Sequence, residues 1–366
     1  MARGQVLAVI GGQMGSEGKG EIVHALANDY DIHVRVGAPN AGHTFRTVVE
    51  HESTEGDVLR TWKMQSVPVG WTNPKASLII GRGALVNPEI LWREIEAIRA
   101  VGVNLEGRLQ IDARAGILDP TFHIVEGGVE GELHRRIGST GEGVGAARIA
   151  RIARDPEHFY FFKDLVERDP KWAPYYMSDT VDYLRRRNID GARILLEGAQ
   201  GVSLSLIHGP WPYCTSTDCG AAQLAADVGL PPQHIDRIVC VLRAYPIRVA
   251  GNSGPLKNEL SWDQISEQVG RDVEERTTVT NKVRRIGEWD DALVDLAVQL
   301  NQPTSFALTF LDYLEPTDEG ETDWNELTNV STDFISYVEH KWGIPVSMVG
   351  TGGTPCQVIR NPSQDV

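Results

Sequence analysis

The chain has 366 residues, 41% hydrophobic and 23% charged, which is ordinary for a globular protein and enough for one large α/β domain with insertions. A net charge of −15 argues against a broad electrostatic contact with nucleic acid, so phosphorylated ligands would need local pockets of cations or backbone N–H groups. The 4 cysteines form no CxxC pair, and neither an apolar run near ~20 residues nor a signal-peptide core is present, so we expect a cytoplasmic protein with reduced thiols and no membrane contact.

The first predicted element is a buried strand over residues 6–10, followed by a glycine-rich loop from Gly11 to Gly20 and then a helix. Glycines let backbone N–H groups converge on an anion, and Lys19 adds a mobile positive charge. The pattern therefore predicts a phosphate-binding loop. It differs from a Walker A loop because 5 residues rather than 4 separate Gly12 from Gly18, and because Gly20 replaces the Ser or Thr that would hold magnesium.

The next elements alternate in type. A strand is predicted over residues 32–36 and a short strand over residues 77–80, and Asn87-Pro88 begins a helix that stops near Gly102. A strand, loop, helix and strand within the first 45 residues indicate a parallel sheet that binds ligands at the carboxyl ends of its strands.

The second half continues the α/β pattern. A helix is predicted over residues 146–154, and the spacing of its three arginines (148, 151 and 154) favours a solvated face. The aromatic-rich residues 156–174 are predicted to form an irregular insertion. Further strands are expected over residues 194–196, 238–242 and 306–311, and helices over 219–228 and 290–300. With no repeat or linker, we predict a single domain over residues 1–366, built on a mostly parallel central sheet with insertions.

Five further motifs accompany the phosphate-binding loop. They are Asn40-Ala41-Gly42-His43-Thr44, Gly138-Ser139-Thr140-Gly141-Glu142-Gly143-Val144-Gly145, Glu197-Gly198-Ala199-Gln200-Gly201, Tyr213-Cys214-Thr215-Ser216 and Val279-Thr280-Asn281-Lys282-Val283-Arg284-Arg285. In this order, and with the first loop, they closely resemble the adenylosuccinate synthetase family. The resemblance implies a Mg²⁺-dependent ligase that phosphorylates a purine 6-oxo group with a nucleoside triphosphate and then displaces the phosphate with the amino group of L-aspartate.

The resemblance also implies roles for individual positions. Ser16, Lys19, His43 and Gln200 match catalytic positions. The donor nucleotide would contact Glu17, Gly18, Lys19, Gly20, Gly42, His43, Thr44, Phe310, Asp312 and Gly352. The acceptor nucleotide would contact Ser16, Asn40, Thr140, Arg154, Gln200, Thr215 and the backbone of Val249, with Arg154 reaching across a homodimer. Aspartate would contact Thr280, Lys282 and Arg284, and the metal ion would contact Ser16 and the Gly42 carbonyl.

Ser16 is the departure that matters most. Ordinary members carry an aspartate there, which accepts the purine N1 proton, whereas a hydroxyl is a far weaker base. A small neutral side chain leaves room for the extra amino group of a 2-aminopurine. The resemblance is therefore to the bacteriophage branch that joins dGMP to aspartate, in the biosynthesis of the 2-aminoadenine (diaminopurine) deoxynucleotide of phage DNA. A damaged, inactive paralogue is the competing interpretation. It is disfavoured because the other matched positions are retained, namely Glu17, Lys19, Asn40, His43 and Gln200.

Two other departures concern the co-substrates. Lys282 replaces an arginine of the aspartate loop and cannot form a bidentate fork, which makes Arg284 the main carboxylate anchor. Phe310 replaces the lysine of a guanine-reading Lys-x-Asp motif. An aromatic ring there could stack on adenine, which favours ATP or dATP as donor, or it could simply be a buried strand residue.

Two alternatives stay open from the sequence. The first is an ordinary adenylosuccinate synthetase that uses IMP and GTP, and the second is a nucleotide-binding regulator without catalysis.

Overall fold

A computed structural model describes residues 3–49, 58–128, 131–277, 281–352 and 357–364. Its strands are β1 (Val6–Gly11), β2 (Ile32–Arg35), β3 (His43–Val49), β4 (Val58–Met64), β5 (Ser77–Ile80), β6 (Leu85–Val86), β7 (Leu109–Asp112), β8 (Gly116–Ile117), β9 (Tyr176–Met177), β10 (Ile194–Glu197), β11 (Arg237–Arg243), β12 (Ile247–Arg248), β13 (Glu259–Leu260), β14 (Arg285–Gly287), β15 (Ser305–Thr309), β16 (Val346–Gly350) and β17 (Val358–Arg360).

The helices follow the same alternation. They are α1 (Lys19–Ala25), α2 (Pro88–Arg99), α3 (Pro120–Glu126), α4 (Glu132–Ile137), α5 (Val144–Ala153), α6 (Phe162–Arg168), α7 (Thr180–Ile189), α8 (Ala221–Val228), α9 (Trp262–Val269), α10 (Asp291–Asn301), α11 (Leu311–Leu314) and α12 (Asn329–Trp342). Of the helices in the described ranges, none is long and apolar enough to cross a bilayer.

One large sheet organises a single α/β domain. Its strand order is β17-β16-β15-β11-β1-β10-β2-β5-β7-β9, and all neighbours are parallel except β17, which runs antiparallel to β16. Side chains of β1 alternate between two hydrophobic clusters, with Leu7 and Val9 in one and Val6, Ala8 and Ile10 in the other. Both faces of the sheet are therefore covered, which explains the continuous apolar runs of its strands.

Most predicted elements are confirmed to within one or two residues. Asn87 caps α2 as predicted, since its side chain accepts hydrogen bonds from the backbone N–H groups of Glu89 and Ile90. Gly229 ends α8 in a left-handed conformation with φ of 82°. The predicted strand over residues 306–311 stops earlier, at Thr309, because Phe310 adopts a left-handed conformation with φ of 59°.

The prediction of an irregular insertion over residues 156–174 is wrong. The segment contains α6 and a 3-10 helix, Pro170–Tyr175, and the side chain of Trp172 is only 1% exposed. The ring of Trp172 packs edge-on against that of Trp92 in α2, with 5.3 Å between the centroids. Phe162 and Trp172 belong to the main core, whereas Phe159 and Phe161 pack in a smaller cluster, so tertiary packing orders the segment.

The prediction of a solvated arginine face on α5 is wrong for two of its three members. Arg151 donates to the carbonyl of Arg82 at 3.3 Å, and its guanidinium lies 5.8 Å from the ring of Phe159. Arg148 is half-buried, and burial lowers its pKa. Arg154, by contrast, is exposed and ends α5 in a left-handed conformation with φ of 57°.

Candidate active site

The glycine-rich loop lies at the carboxyl edge of the sheet, between β1 and α1, and Glu17 organises it from within. One carboxylate oxygen accepts hydrogen bonds from the backbone N–H groups of Gln13 (3.1 Å) and Gly15 (2.8 Å), and the other accepts one from Lys19 Nζ at 2.7 Å. Glu17 is fully buried, and a Cβ on Gly201 would lie 2.4 Å from its carboxylate. Glu17 therefore fixes the shape of the loop and positions Lys19.

The loop needs glycine at specific points. Gly18 has φ of 80°, a left-handed conformation that glycine adopts without strain. A Cβ on Gly20 would lie 2.3 Å from the carbonyl oxygen of Thr44, where β3 begins. Only glycine allows the start of β3 to approach the loop this closely, which brings His43 and Lys19 to the same cavity.

Two cavities flank this loop. The larger one, of about 600 Å³, lies among the carboxyl ends of the central strands. Its lining includes most of the residues predicted to contact the donor nucleotide, namely Gly18, Lys19, Gly20, Gly42, His43, Thr44, Phe310, Asp312 and Gly352, and also Arg284 of the predicted aspartate site. Ser16, which was predicted to contact the acceptor nucleotide and the metal ion, lines this cavity too. A volume of this size fits a small-molecule ligand, whose pockets measure roughly 300–1,000 Å³.

The second cavity is narrow, about 30 Å³, and is lined by Asn40, Gln200 and Thr215 together with Arg148. It groups three of the residues predicted to contact the acceptor nucleotide. Because ligand pockets are usually roughly 300–1,000 Å³, a nucleotide can enter only if these loops move apart. Gln200 lies close to the phosphate-binding loop, since its Oε1 is 4.0 Å from the position of a Cβ on Gly15.

His43 is held by a buried carboxylate that the sequence interpretation did not assign to the site. Its Nδ1 lies 2.5 Å from Glu197 Oε1, which also accepts a hydrogen bond from Arg35 Nη1 at 2.6 Å. The backbone N–H of Val69 donates to the other oxygen of Glu197 at 2.9 Å. Within the described residues, Nε2 of His43 is buried and has no hydrogen-bond partner, and the ring lines the large cavity.

The ionisation of this group follows from its surroundings. Burial lowers the pKa of His43 to about 4, aided by Arg35 and opposed by Glu197. Burial alone would raise the pKa of Glu197, but Arg35 and His43 outweigh it and bring that pKa to about 2. A carboxylate can only accept, so the neutral imidazole keeps its proton on Nδ1 and presents a lone pair at Nε2. Donation from Nε2 requires the imidazolium, which an anionic ligand in the cavity would favour.

Two arginines contact Ser16. Arg284 Nη1 donates to the Ser16 hydroxyl, and Arg243 Nη1 donates to the Ser16 carbonyl at 3.1 Å. Arg243 also forms a bidentate ion pair with Glu275, at 2.5 and 3.2 Å. Ser16 itself has φ of 58°, a left-handed conformation that is uncommon for a residue other than glycine. The sequence interpretation singled out Ser16 and Arg284 but missed Arg243 and Glu275.

Phe310 follows β15 at the wall of the large cavity, outside the strand. The guanidinium carbon of Arg243 lies 3.8 Å from its ring centroid, so one face of the ring is covered. Asp312, in the next turn, accepts a hydrogen bond from Arg271 at 2.8 Å. Burial raises the pKa of Asp312 to about 6, although Arg271 opposes the effect. The two residues form one wall, which is aromatic and acidic.

The remaining predicted positions lie apart from both cavities. Thr140 and Val249 do not line either one, and the Val249 carbonyl accepts a hydrogen bond from Ser253 at 2.6 Å. Lys282 is exposed, with its Nζ 2.9 Å from His134 Nε2. Thr280 lies outside the described residues.

Three features define a nucleotide-dependent enzyme: a buried, ion-paired lysine in a glycine-rich loop, a buried histidine–carboxylate pair, and a nucleotide-sized cavity at the carboxyl edge of a parallel sheet. The adenylosuccinate synthetase family profile matches residues 8–159 and 157–321. The chain belongs to the adenylosuccinate synthetase family, whose members are ligases that form a C–N bond.

Relatives support this assignment over nearly the whole length. The adenylosuccinate synthetase of Methanococcus vannielii is 37% identical over 354 residues, which cover 96% of this chain and 97% of that one. The Methanocaldococcus jannaschii enzyme is 34% identical over 355 residues, covering 96% and 95%.

Two solved structures share the fold. The succinoaminodeoxyadenylate synthetase of cyanophage S-2L, bound to dGMP and to dATP as an energy donor, superposes with a TM-score of 0.80 at 28% identity, covering 98% of this chain and 96% of that one. The fully ligated adenylosuccinate synthetase of Plasmodium falciparum gives a TM-score of 0.82 at 20% identity, covering 98% and 100%, which shows the fold alone.

Proposed function

We propose that this ligase joins dGMP to L-aspartate at the expense of ATP or dATP and forms N6-succino-2-amino-2'-deoxyadenylate, a precursor of 2-aminoadenine in phage DNA. The observation that carries the proposal is Ser16, a neutral side chain at the turn of the phosphate-binding loop; it directly follows Gly15, whose Cβ position would lie 4.0 Å from Gln200 Oε1. A carboxylate there would crowd a base that carries an amino group at C2. The cyanophage structure, solved with dGMP and dATP, gives independent support.

The reaction has two steps. The 6-oxo oxygen of the base attacks the γ-phosphorus of the triphosphate, the nucleoside diphosphate leaves, and the base releases its N1 proton to water. The amino group of aspartate then attacks C6, and the bond between C6 and the phosphorylated oxygen breaks, which releases phosphate and, after the amine loses a proton, the succino product. Phosphorylation is needed because an oxo group is a poor leaving group.

The residues of the chain stabilise the charge that moves during these steps. Lys19, positioned by Glu17, and the N–H groups of the glycine-rich loop would contact the phosphate oxygens. His43, in its imidazolium form, would donate from Nε2 to the transferred phosphoryl group, with Glu197 holding the ring from the other side. The amide of Gln200 would donate to the developing 6-oxyanion.

Magnesium fits this site only in a limited way. No cluster of three or more His, Cys, Asp or Glu side chains suited to a metal occurs in the described ranges. The Ser16 hydroxyl and the Gly42 carbonyl are hard oxygen donors of the kind Mg²⁺ accepts, but both are neutral. The triphosphate would therefore supply most of the ligands, and the bound ion would neutralise phosphate charge.

An exposed apolar surface supports a homodimer. Ile149 and Ile152 on α5 are 71% and 77% exposed, and Ile124 and Val125 on the adjacent α3 are 75% and 74% exposed. Arg154 lies two positions after Ile152, at the exposed end of α5. A second copy covering this surface would bury the four side chains and bring Arg154 near the partner's acceptor nucleotide.

An ordinary adenylosuccinate synthetase that uses IMP and GTP is the second candidate. It is favoured by the relatives at 34–37% identity, which carry that name. A catalytically silent nucleotide-binding regulator would bind the triphosphate without turnover. That residues 1–366 form one such domain, and that the protein acts in the cytoplasm, remain predictions.

One experiment separates these functions. Phosphate release is measured with dGMP or IMP, each with ATP, dATP or GTP, and with or without L-aspartate; the Lys19→Met variant controls for contaminating phosphatases. Release that requires both dGMP and aspartate supports the proposal. Turnover restricted to IMP would show an ordinary adenylosuccinate synthetase, and triphosphate binding without any release would show a regulator.

A further inference from the structure

The contact between Ser16 and Arg284 joins two parts of the site that otherwise have separate tasks. Position 16 belongs to the phosphate-binding loop, whereas Arg284 comes from the loop that precedes β14, and 268 positions separate them in the chain. Arg284 donates from Nη1 to the Ser16 hydroxyl and from Nε to the carbonyl of Arg276 at 3.1 Å. Within the described residues, the acceptors that hold this guanidinium are therefore neutral.

The charges around Arg284 leave one positive charge uncompensated. Two acidic groups act electrostatically on Arg284, and both have other cationic partners: Glu275 accepts two hydrogen bonds from Arg243, and Glu17 accepts one from Lys19. Arg276 is paired with Glu274 at 2.6 Å. Arg243, Glu275 and Arg284 thus sum to a net charge of +1 beside the cavity, and Ser16 adds none.

We propose that Ser16 is a positioning residue for the aspartate substrate: its hydroxyl orients Arg284 without neutralising it, which keeps the charge of that arginine available for a substrate carboxylate. An aspartate at position 16 would form an ion pair with Arg284 and compete directly with the substrate. The identity of residue 16 therefore governs affinity for aspartate as well as the choice of purine. The proposal rests on the ligase reaction with aspartate proposed above.

Because Lys282 stands where the family has an arginine, the availability of Arg284 for the substrate carboxylate matters more in this chain. The ammonium group of Lys282 is exposed and lies beside His134, so in this structure it is not placed to bind a substrate carboxylate together with Arg284. An ammonium also lacks the planar fork with which arginine binds a carboxylate. Within residues 281–285, Arg284 alone lines the large cavity, so an internal ion pair would remove the guanidinium that this loop offers to the substrate. Positions 16 and 282 should consequently be energetically coupled.

The test compares Ser16→Asp with Ser16→Asn, which have the same shape and differ in charge. Steady-state KM values for L-aspartate, the purine nucleotide and the triphosphate are measured for each. We expect Ser16→Asp to raise the KM for aspartate about 10- to 100-fold relative to Ser16→Asn, as expected for loss of one charge-assisted hydrogen-bonded contact. The KM for aspartate should differ between the two variants by a larger factor than the KM for the triphosphate. Equal KM values for aspartate would overturn the proposal.

Lys282→Arg provides the second arm. Added to Ser16→Asp, it should lower the KM for aspartate at least 5-fold, by roughly the ratio that one additional arginine contact provides, whereas added to the wild type it should change that KM far less. Equal effects in both backgrounds would overturn the coupling.

Two controls separate the effect on aspartate binding from misfolding and from the choice of purine. If Ser16→Asp does not fold, Ser16→Ala decides, because loss of the hydroxyl should raise the KM for aspartate by a larger factor than the KM for the triphosphate. An unchanged KM for aspartate would overturn the proposal. All variants are assayed with the purine that the wild type turns over, so a preference for IMP would refute the proposed substrate without touching this inference.

Discussion

Replacing Glu197 with glutamine probes the buried pair on which the proposed role of His43 depends. The carboxylate of Glu197 accepts from His43 Nδ1, from Arg35 and from the backbone N–H of Val69. A glutamine can offer its carbonyl to one side only. In either orientation its NH₂ group faces an N–H donor, and Arg35 is left buried without its counter-ion.

The magnitude follows from these contacts. Removing one partner of a buried ion pair costs about 3–5 kcal/mol of stability. Because Glu197 raises the pKa of His43, its loss makes the imidazolium still harder to form, and proton donation from a side chain is worth roughly 10²–10⁴ in rate. We therefore expect Glu197→Gln to lower both the free energy of unfolding and kcat.

Urea denaturation and aspartate-dependent phosphate release measure the two effects. Glu94→Gln is the matched control, since Glu94 is also buried and accepts backbone N–H bonds from Ser66 and Val67, at 3.1 and 2.8 Å. The control should lose stability but keep the pH dependence of kcat. If Glu197→Gln loses no more activity than Glu94→Gln at matched fraction folded, the proposed role of the His43–Glu197 pair is wrong.

Three further predictions follow from the structure. The pKa of His43 falls from 6.5 to about 4 on folding, so the unfolded chain binds more protons than the folded chain between these values. The free energy of unfolding should therefore decline by about 3 kcal/mol as the pH falls through this window. Urea titrations of His43→Gln should show a correspondingly flatter pH dependence of that free energy. Phe310→Leu should raise the KM for ATP about 10-fold if the ring stacks on the donor base, since such stacking is worth roughly 1–3 kcal/mol, and should leave the KM for dGMP nearly unchanged; equal changes in both would argue against a donor-base contact. Ile152→Glu should convert the proposed dimer to monomer in sedimentation experiments, and dimers that persist would place the interface elsewhere.

Contiguous motifs allowed a large part of the site to be predicted. Gly18, Lys19 and Gly20 lie within three consecutive positions, so their residue types alone indicated a phosphate-binding loop, and the structure places all three at the large cavity. The neutral side chain at position 16 was visible for the same reason. Arg35 also carried a local signal that was not used, because a charged residue at the carboxyl end of a buried strand needs a partner.

Other parts of the site had no local signal. His43 and Glu197 are 154 positions apart in the chain and meet only because β10 pairs with β2 and the residues after β2 fold back over the loop. The prediction of an irregular segment over residues 156–174 was wrong because the order of this segment comes from contacts with α2, such as that of Trp172. Long-range packing of this kind depends on the whole fold.

The amino-acid sequence by itself determined the α/β class, the position of the phosphate-binding loop and the unusual serine within it, because periodicity and short-range residue types encode these features directly. Only the tertiary structure decided the protonation of His43 and the charge balance around Arg284. Both depend on burial and on ionic partners from distant segments, and electrostatic energies are set by distances in space.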